Sequence, residues 1–339
     1  PPTAANFAYW EKYIDYVCRW ATVKEPTWRG TIPPGQDRSR CITGFNNPNR
    51  NIYPDAGTVN AFRNMLGYRT YVQFIMDYGR DTPVVAGEYS PVSIHSPYCP
   101  WREEETAGGT YLFPVRTQPM HSARRALVDA IHLIKQRNAS IPNHAERDRV
   151  AIVTFDRITG GGPMIEQLLT GDYEAAMQVC TRLQTVSDIG ASTATELGLI
   201  AARDHLASKY EGGEGRNEAD KIVVLLTDGV PDLYASNPVA INRYIGRNPS
   251  SDFYSGGVYA LNAPLMQAAE MQDNRWQIFP VGIGSGTDYD FMDRMARVGG
   301  TANNEGVCFR GSGSPAEYER RLTEILGKII ATPEVRLVQ

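Results

Sequence analysis

The chain has 339 residues, of which 42% are hydrophobic and 21% are charged. This composition is typical of a globular protein and excludes a largely disordered one. With 34 basic and 38 acidic residues the net charge is −4, which argues against nucleic acid as the main partner because phosphate binding needs a basic surface. No apolar run approaches the roughly 18–20 residues that a membrane span requires.

Residues 1–118 are predicted to form a loop-rich N-terminal elaboration, because proline, glycine and asparagine are frequent and only two segments are strongly periodic. Apolar residues at helical spacing predict a helix over 7–20, with Trp10 on its apolar face. Residues 59–78 carry a second apolar stripe, which favours another helix. The alternative is that 71–76 forms the first strand of the main sheet.

The five cysteines leave two interpretations open. Cys18, Cys41 and Cys99 lie in the loop-rich part, where a disulfide would stabilise a region that otherwise has little core. Buried free thiols are the other interpretation. No Cys-x-x-Cys pair occurs, which excludes zinc-ribbon and thioredoxin-like sites.

Residues 119–339 are predicted to form the main domain, because strand and helix patterns alternate there as in an α/β fold with a mainly parallel sheet and helices on both faces. The continuously apolar strand 221–227 is expected in the middle of the sheet, with both faces covered. Residues 230–257 are predicted to be a loop. The other predicted strands are 149–155, 276–283 and 306–309, and the predicted helices are 120–137, 172–183, 195–209, 259–273, 288–298 and 314–330.

Two polar loops of this domain stand out as candidate binding positions. Thr227-Asp228-Gly229 directly follows the apolar strand, where an acid is costly unless it is hydrogen-bonded or lies near a cation. The small-residue segment 190–199 opens a helix and contains Thr193. A hydroxyl at a helix start either caps the helix or binds a hard metal ion.

Together these motifs resemble the von Willebrand factor type A domain, whose metal-ion-dependent adhesion site is built from three loops. Thr193 matches the threonine of the second loop, and Asp228 matches the aspartate of the third. Segments 278–284 and 299–301 follow in the order of the family. The resemblance implies a Rossmann-like A-domain fold, Mg²⁺ as the bound cation, a protein partner that supplies an acidic side chain, and no enzymatic activity.

The first loop of that adhesion site, Asp-x-Ser-x-Ser, does not occur in the sequence. Asp77, just after the segment 71–76, is the nearest candidate for its metal ligand. We favour the alternative in which 59–78 is a helix inside an insertion and the motif lies ahead of Pro1. That preceding part of the protein would also carry a membrane anchor.

The periodic segments 10–17 and 67–74 resemble an insertion in bacterial A-domain proteins associated with tight-adherence pilus assembly. The resemblance implies an extracytoplasmic protein of the bacterial cell envelope or surface with a binding or structural role, and it leaves a homo-oligomer open. Two alternatives are a hydrolase with Asp228 at its strand end and an intracellular A domain that works with an ATPase. A Gly-x-Ser-x-Gly elbow, a phosphate loop and a dinucleotide fingerprint are all absent, which disfavours an enzyme.

A third acidic segment, around Asp288 and Asp290, is weakly similar to a calcium-binding loop. Because Asp288 stands at the start of a predicted helix, we expect it to cap that helix instead.

Overall fold

The computed structural model describes residues 94, 99, 101–114, 119–155, 163–184, 192–283, 287–311 and 317–331. The predictions for 7–20 and 59–78, the site candidate Asp77 and the thiols of Cys18 and Cys41 lie outside these residues. The elements described below all belong to one compact unit.

The described residues form seven strands and seven helices in the following chain order. They are β1 (Arg102–Thr106), β2 (Gly109–Phe113), α1 (Met120–Asn138), β3 (Val150–Thr154), β4 (Met164–Thr170), α2 (Tyr173–Cys180), α3 (Thr195–Leu206), β5 (Ile222–Thr227), α4 (Pro238–Arg247), α5 (Tyr259–Asp273), β6 (Gln277–Gly282), α6 (Tyr289–Val298), β7 (Phe309–Arg310) and α7 (Tyr318–Ala331). A short 3₁₀ turn, Lys209–Glu211, follows α3.

The strands pair in three groups. β1 and β2 form an antiparallel hairpin, and β3 and β4 form a second antiparallel pair with a register shift around Ile152. β5, β6 and β7 form a parallel sheet in which β5 pairs with β6 in register from Ile222↔Gln277 to Thr227↔Gly282. The α/β fold class with a parallel sheet is therefore confirmed.

The predicted central position of β5 is wrong for the described sheet, because β6 lies between β5 and β7. The faces of β5 are nevertheless both covered, as predicted. Val223 and Leu225 pack on one side with Leu199 of α3, whereas Val224 and Leu226 pack on the other side with residues of α1 and α7. A continuous apolar run indicates that both faces of a strand are covered, but it does not indicate whether both edges of the strand are paired.

Helix α1 connects the parallel sheet with the β3–β4 pair. Its small residues Ala123, Ala126 and Ala130 pack against β6 and α7, and its larger residues Val128 and Ile131 pack against β3 and α2. Its start and end agree with the predicted helix 120–137 to within one residue. One long amphipathic helix thus covers both sets of strands.

Three elements were missed by the sequence analysis. The hairpin β1–β2 lies where loop was predicted, β4 was not assigned, and α4 lies inside the segment 230–257 that was predicted to be a loop. The other helices and strands predicted within the described residues are confirmed, with ends that differ by at most four residues. No helix among the described residues is long and apolar enough to cross a membrane.

The cysteines that the structure describes lie in the interior. Cys99, Cys180 and Cys308 are buried. Burial raises the pKa of the Cys180 and Cys308 thiols to about 12, so both stay protonated at neutral pH and are poor nucleophiles. A disulfide that involves Cys18 or Cys41 stays a prediction.

Candidate functional site

The candidate site lies at the carboxyl end of β5, where the parallel strands of the sheet end at a common edge. β5 ends at Thr227, and the exposed Asp228 follows directly. The Thr227 hydroxyl accepts a hydrogen bond from the N–H of Gly229 at 3.2 Å, which closes the turn that presents Asp228. In open α/β sheets, ligands bind at this edge.

The loop before α3 brings Thr193 to the same edge. A Cβ atom placed on Gly229 would lie 2.8 Å from the hydroxyl oxygen of Thr193. A larger residue at position 229 would force the Thr193 side chain or the loop to shift, since real Cβ atoms essentially never come so close to a neighbour. The structure therefore brings Thr193 next to Gly229, the residue that follows Asp228. Thr193 and Asp228 are two of the three site residues that the sequence analysis named.

A third residue, Asp232, joins the two loops by a reciprocal pair of hydrogen bonds. Its carboxylate Oδ1 accepts the N–H of Thr193 at 2.6 Å, and its own N–H donates to the carbonyl oxygen of Thr193 at 3.3 Å. Sequence analysis missed Asp232, because Pro231-Asp232 reads as an ordinary loop and its contact partner lies 39 residues earlier.

A fourth residue, Glu196, holds the loop from the helix side. Glu196 lies in the first turn of α3 and is fully buried. Its Oε2 accepts the N–H groups of Ala235 and Ser236 at 2.7 and 3.2 Å. Its Oε1 and the hydroxyl of the neighbouring Thr195 are buried without a hydrogen-bond partner in the described part of the chain.

The donor set fits a hard divalent cation. Thr193 offers a hydroxyl oxygen and Asp228 an exposed carboxylate, which are ligands that Mg²⁺ prefers. The exposed carboxylate of Asp232 and the buried one of Glu196 add negative charge to the same loops, so a cation is favoured there over an anion. No group of three or more His, Cys, Asp or Glu side chains that could hold a metal occurs among the described residues.

Two protein oxygens do not complete an octahedral shell, but Mg²⁺ usually keeps several waters and takes only one or two carboxylates from a protein. The arrangement of Thr193 and Asp228 therefore suits a cation that has open positions. Asp77, the third predicted ligand, lies outside the described residues, so its part in the site stays a prediction.

Comparisons of the structure with solved structures give matches of low sequence identity. Proximal thread matrix protein 1 from the mussel byssus matches with 18% identity and a TM-score of 0.39, over 61% of this chain and 42% of that chain. The vWF domain of the type V pili tip protein Mfa5 from Porphyromonas gingivalis matches with 16% identity and a TM-score of 0.39, over 62% of this chain and 88% of that chain.

A third solved structure, the manganese-loaded TRAP protein of Plasmodium vivax, matches with 16% identity and a TM-score of 0.38, over 62% of this chain and 65% of that chain. The matched region thus spans less than half of the mussel protein and about two thirds of the Plasmodium chain. A comparison with curated protein sequences gives no match.

The sequence profile of the von Willebrand factor type A domain matches residues 115–312, which is more than half of the chain. The matched range includes α1, the β3–β4 pair, the whole parallel sheet and both loops of the candidate site. The chain therefore belongs to the von Willebrand factor type A domain family.

Proposed function

We propose that this protein binds partner proteins through a divalent cation held at the carboxyl edge of its parallel sheet, and that it serves an adhesive or structural role rather than a catalytic one. The observation that carries the proposal is the close approach of the Thr193 hydroxyl to Gly229, next to the exposed Asp228. The family is one of protein-interaction modules, which agrees with this role.

Thr193 and Asp228 have different roles in holding the cation. The Thr193 hydroxyl would bind it directly, and the Asp228 carboxylate would bind it through water, as the resemblance to the adhesion site implies. When bound, the cation supplies an electrophilic centre that takes a carboxylate oxygen of the partner as a further ligand. Because the site has few carboxylates of its own, the charge of the cation is only partly neutralised and would attract such an oxygen.

Two segments of the N-terminal part bear on where the protein works. The segments 10–17 and 67–74 resemble the insertion of bacterial A-domain proteins associated with tight-adherence pilus assembly, and we place the protein with them at the extracytoplasmic surface of a bacterial cell. Subcellular fractionation of the producing organism with an antibody against the chain tests this assignment. Recovery of the protein only in the cytosol would refute it.

The cation-dependent role is tested by thermal melts of the parent, Thr193→Ala and Asp228→Ala, each with Mg²⁺ and with a chelator. A cation that binds only the folded state at a hundred times its dissociation constant stabilises by about 2.7 kcal/mol. We expect the parent to gain stability from Mg²⁺ and both variants to lose that gain.

Asp204→Ala serves as the matched control, because Asp204 is an exposed acid of α3 whose carboxylate pairs with the neighbouring Arg203. This variant removes the same charge and should respond to Mg²⁺ like the parent. A parent that is insensitive to Mg²⁺, with Thr193→Ala and Asp228→Ala equally destabilised under both conditions, would reject the cation-dependent role.

A further inference from the structure

The loop from Asp228 to Asp232 is built as a stiff connection. Pro231 is buried and fixes its own φ, and it restricts the preceding Val230 to an extended backbone. Gly229 lies against the side chain of Thr193. Because the connection is stiff, the position of Asp232 determines the position of the turn that contains Asp228.

Asp232 is hydrogen-bonded to both backbone polar groups of Thr193, its N–H and its carbonyl oxygen. Its carboxylate accepts the Thr193 N–H at 2.6 Å, and its N–H donates to the Thr193 carbonyl oxygen at 3.3 Å. A carboxylate that accepts a backbone N–H forms a charge-assisted bond, roughly twice as strong as one between neutral groups. Neither hydrogen bond involves the Thr193 hydroxyl, which lies close to Gly229.

Thr193 has no regular element to hold it in place. It stands two residues before the first residue of α3, and the N-cap residue Ala194 has no side chain with which to make a capping hydrogen bond. The backbone of Thr193 is instead fixed from the opposite loop. Loss of the Asp232 carboxylate would leave a single weaker hydrogen bond between the two loops at this point.

We propose that Asp232 is the positioning residue of the site, which sets the Thr193 hydroxyl at the distance from Asp228 that a divalent cation requires. This inference rests on the proposed function, and it adds a residue that acts through Thr193 and does not itself bind the cation. Outer residues that orient metal ligands typically contribute about 10–100-fold to metal affinity.

Two variants separate positioning from direct binding. Asp232→Asn keeps a carbonyl oxygen that accepts the Thr193 N–H but removes the charge, whereas Asp232→Ala removes both. By calorimetric titration of the full chain with Mg²⁺ alone, we expect Asp232→Ala to weaken affinity about 10–100-fold. Asp232→Asn should stay within about threefold of the parent, and the control Asp204→Ala should match the parent.

A second measurement needs no metal. Backbone amide hydrogen exchange of the segment around Thr193 should become faster in metal-free Asp232→Ala and stay at the parental rate in Asp232→Asn. A merely general loss of stability would speed exchange throughout the protein, whereas the positioning role predicts a change confined to the two loops.

Equal losses of Mg²⁺ affinity in both Asp232 variants would overturn the inference and make Asp232 a direct ligand. Parental affinity and parental exchange in Asp232→Ala would overturn it as well. Absence of Mg²⁺ binding by the parent would reject the proposed function and the cation part of this inference. The exchange measurement would still decide, independently, whether Asp232 holds Thr193.

Discussion

Two aspartates near the start of α6 differ in what they do, although they stand two residues apart. Asp288 is the N-cap residue of α6, and its side chain accepts the N–H of Phe291 at 3.2 Å. Asp290 accepts hydrogen bonds from the Tyr254 hydroxyl at 2.8 Å and from the Arg294 guanidinium at 2.9 Å. These two donors hold the pKa of Asp290 below its usual range. The predicted capping role of Asp288 is therefore confirmed.

Replacing Asp288 by alanine should lower the free energy of unfolding by about 0.5–2 kcal/mol, because the N–H of Phe291 loses its side-chain acceptor. Asp288→Asn retains an acceptor and should stay close to the parent. Urea unfolding with and without Ca²⁺ checks both points. A stabilising effect of Ca²⁺ that disappears in Asp288→Ala would show that this segment binds calcium after all.

The carboxyl group of Asp129 couples stability to pH. Asp129 lies on α1, and its Oδ1 accepts the N–H of Ala107 in the turn of the β1–β2 hairpin at 2.9 Å. Burial raises the pKa of this carboxyl group above its usual range. Compared with the unfolded chain, the folded state favours the protonated carboxyl group, so its contribution to stability is present at low pH and is lost as pH rises through the folded-state pKa.

Asp129→Asn cannot ionise, yet its amide oxygen can still accept the N–H of Ala107. We expect its free energy of unfolding, relative to the parent, to be higher at pH 7 than at pH 3, where the parental carboxyl is protonated in both states. Urea unfolding at the two pH values measures the difference. A difference that does not change with pH would show that the ionised carboxylate costs nothing in the folded protein.

At the scale of elements, two helical glycines have opposite surroundings. A Cβ on Gly198 of α3 would lie 2.8 Å from ring atoms of Phe155, which packs beneath the helix. A Cβ on Gly246 of α4 would meet nothing within 4 Å. The first glycine permits a close approach between helix and strand end, whereas the second only weakens its helix.

Gly198→Ala should therefore destabilise the protein by about 1–3 kcal/mol, because α3 must move away from Phe155. The matched change Gly246→Ala should stabilise by up to about 1 kcal/mol through helix propensity. Thermal melts of the two variants measure both effects. Similar shifts in both would mean that Phe155 gives way and that the contact does not position α3.

The elements that the sequence predicted are those with a strong apolar pattern over many residues. Helix α5 was predicted with its observed ends, and β5 was recognised from its continuous apolar run. β4 was missed because its apolar residues occur in adjacent pairs, Met164-Ile165 and Leu168-Leu169, and do not alternate with polar ones. α4 was missed because proline, asparagine, serine and glycine are frequent in the surrounding segment 230–257, and the one buried residue of the helix is Ile241.

The candidate site was predictable only where its residues belong to a local motif. Thr193 and Asp228 stand beside a helix start and a strand end, positions that the sequence itself reveals. Asp232 and Glu196 act on loops that lie about 39 residues away along the chain. Such long-range contacts leave no local pattern, so only the three-dimensional structure identifies them.

At the scale of the whole unit, the described strands form separate sheets that share helices. Leu199 of α3 is 1% exposed and packs in a cluster with Leu225 of β5 and with Phe155 at the end of β3. On the opposite side, α1 packs against both sets of strands. The two sheets are thus joined by side chains of helices that contact both.

Leu199→Ala should remove this connection and lower the free energy of unfolding by about 2–5 kcal/mol, as for other fully buried leucines. The control Leu168→Ala, on the exposed face of β4 with 62% exposure, should change it by no more than about 0.5 kcal/mol. If the shared helices make the unit cooperative, native-state hydrogen exchange will show the amides of β3 and β5 losing protection together in Leu199→Ala. Faster exchange in only one of the two strands would instead mean that the sheets open as independent units.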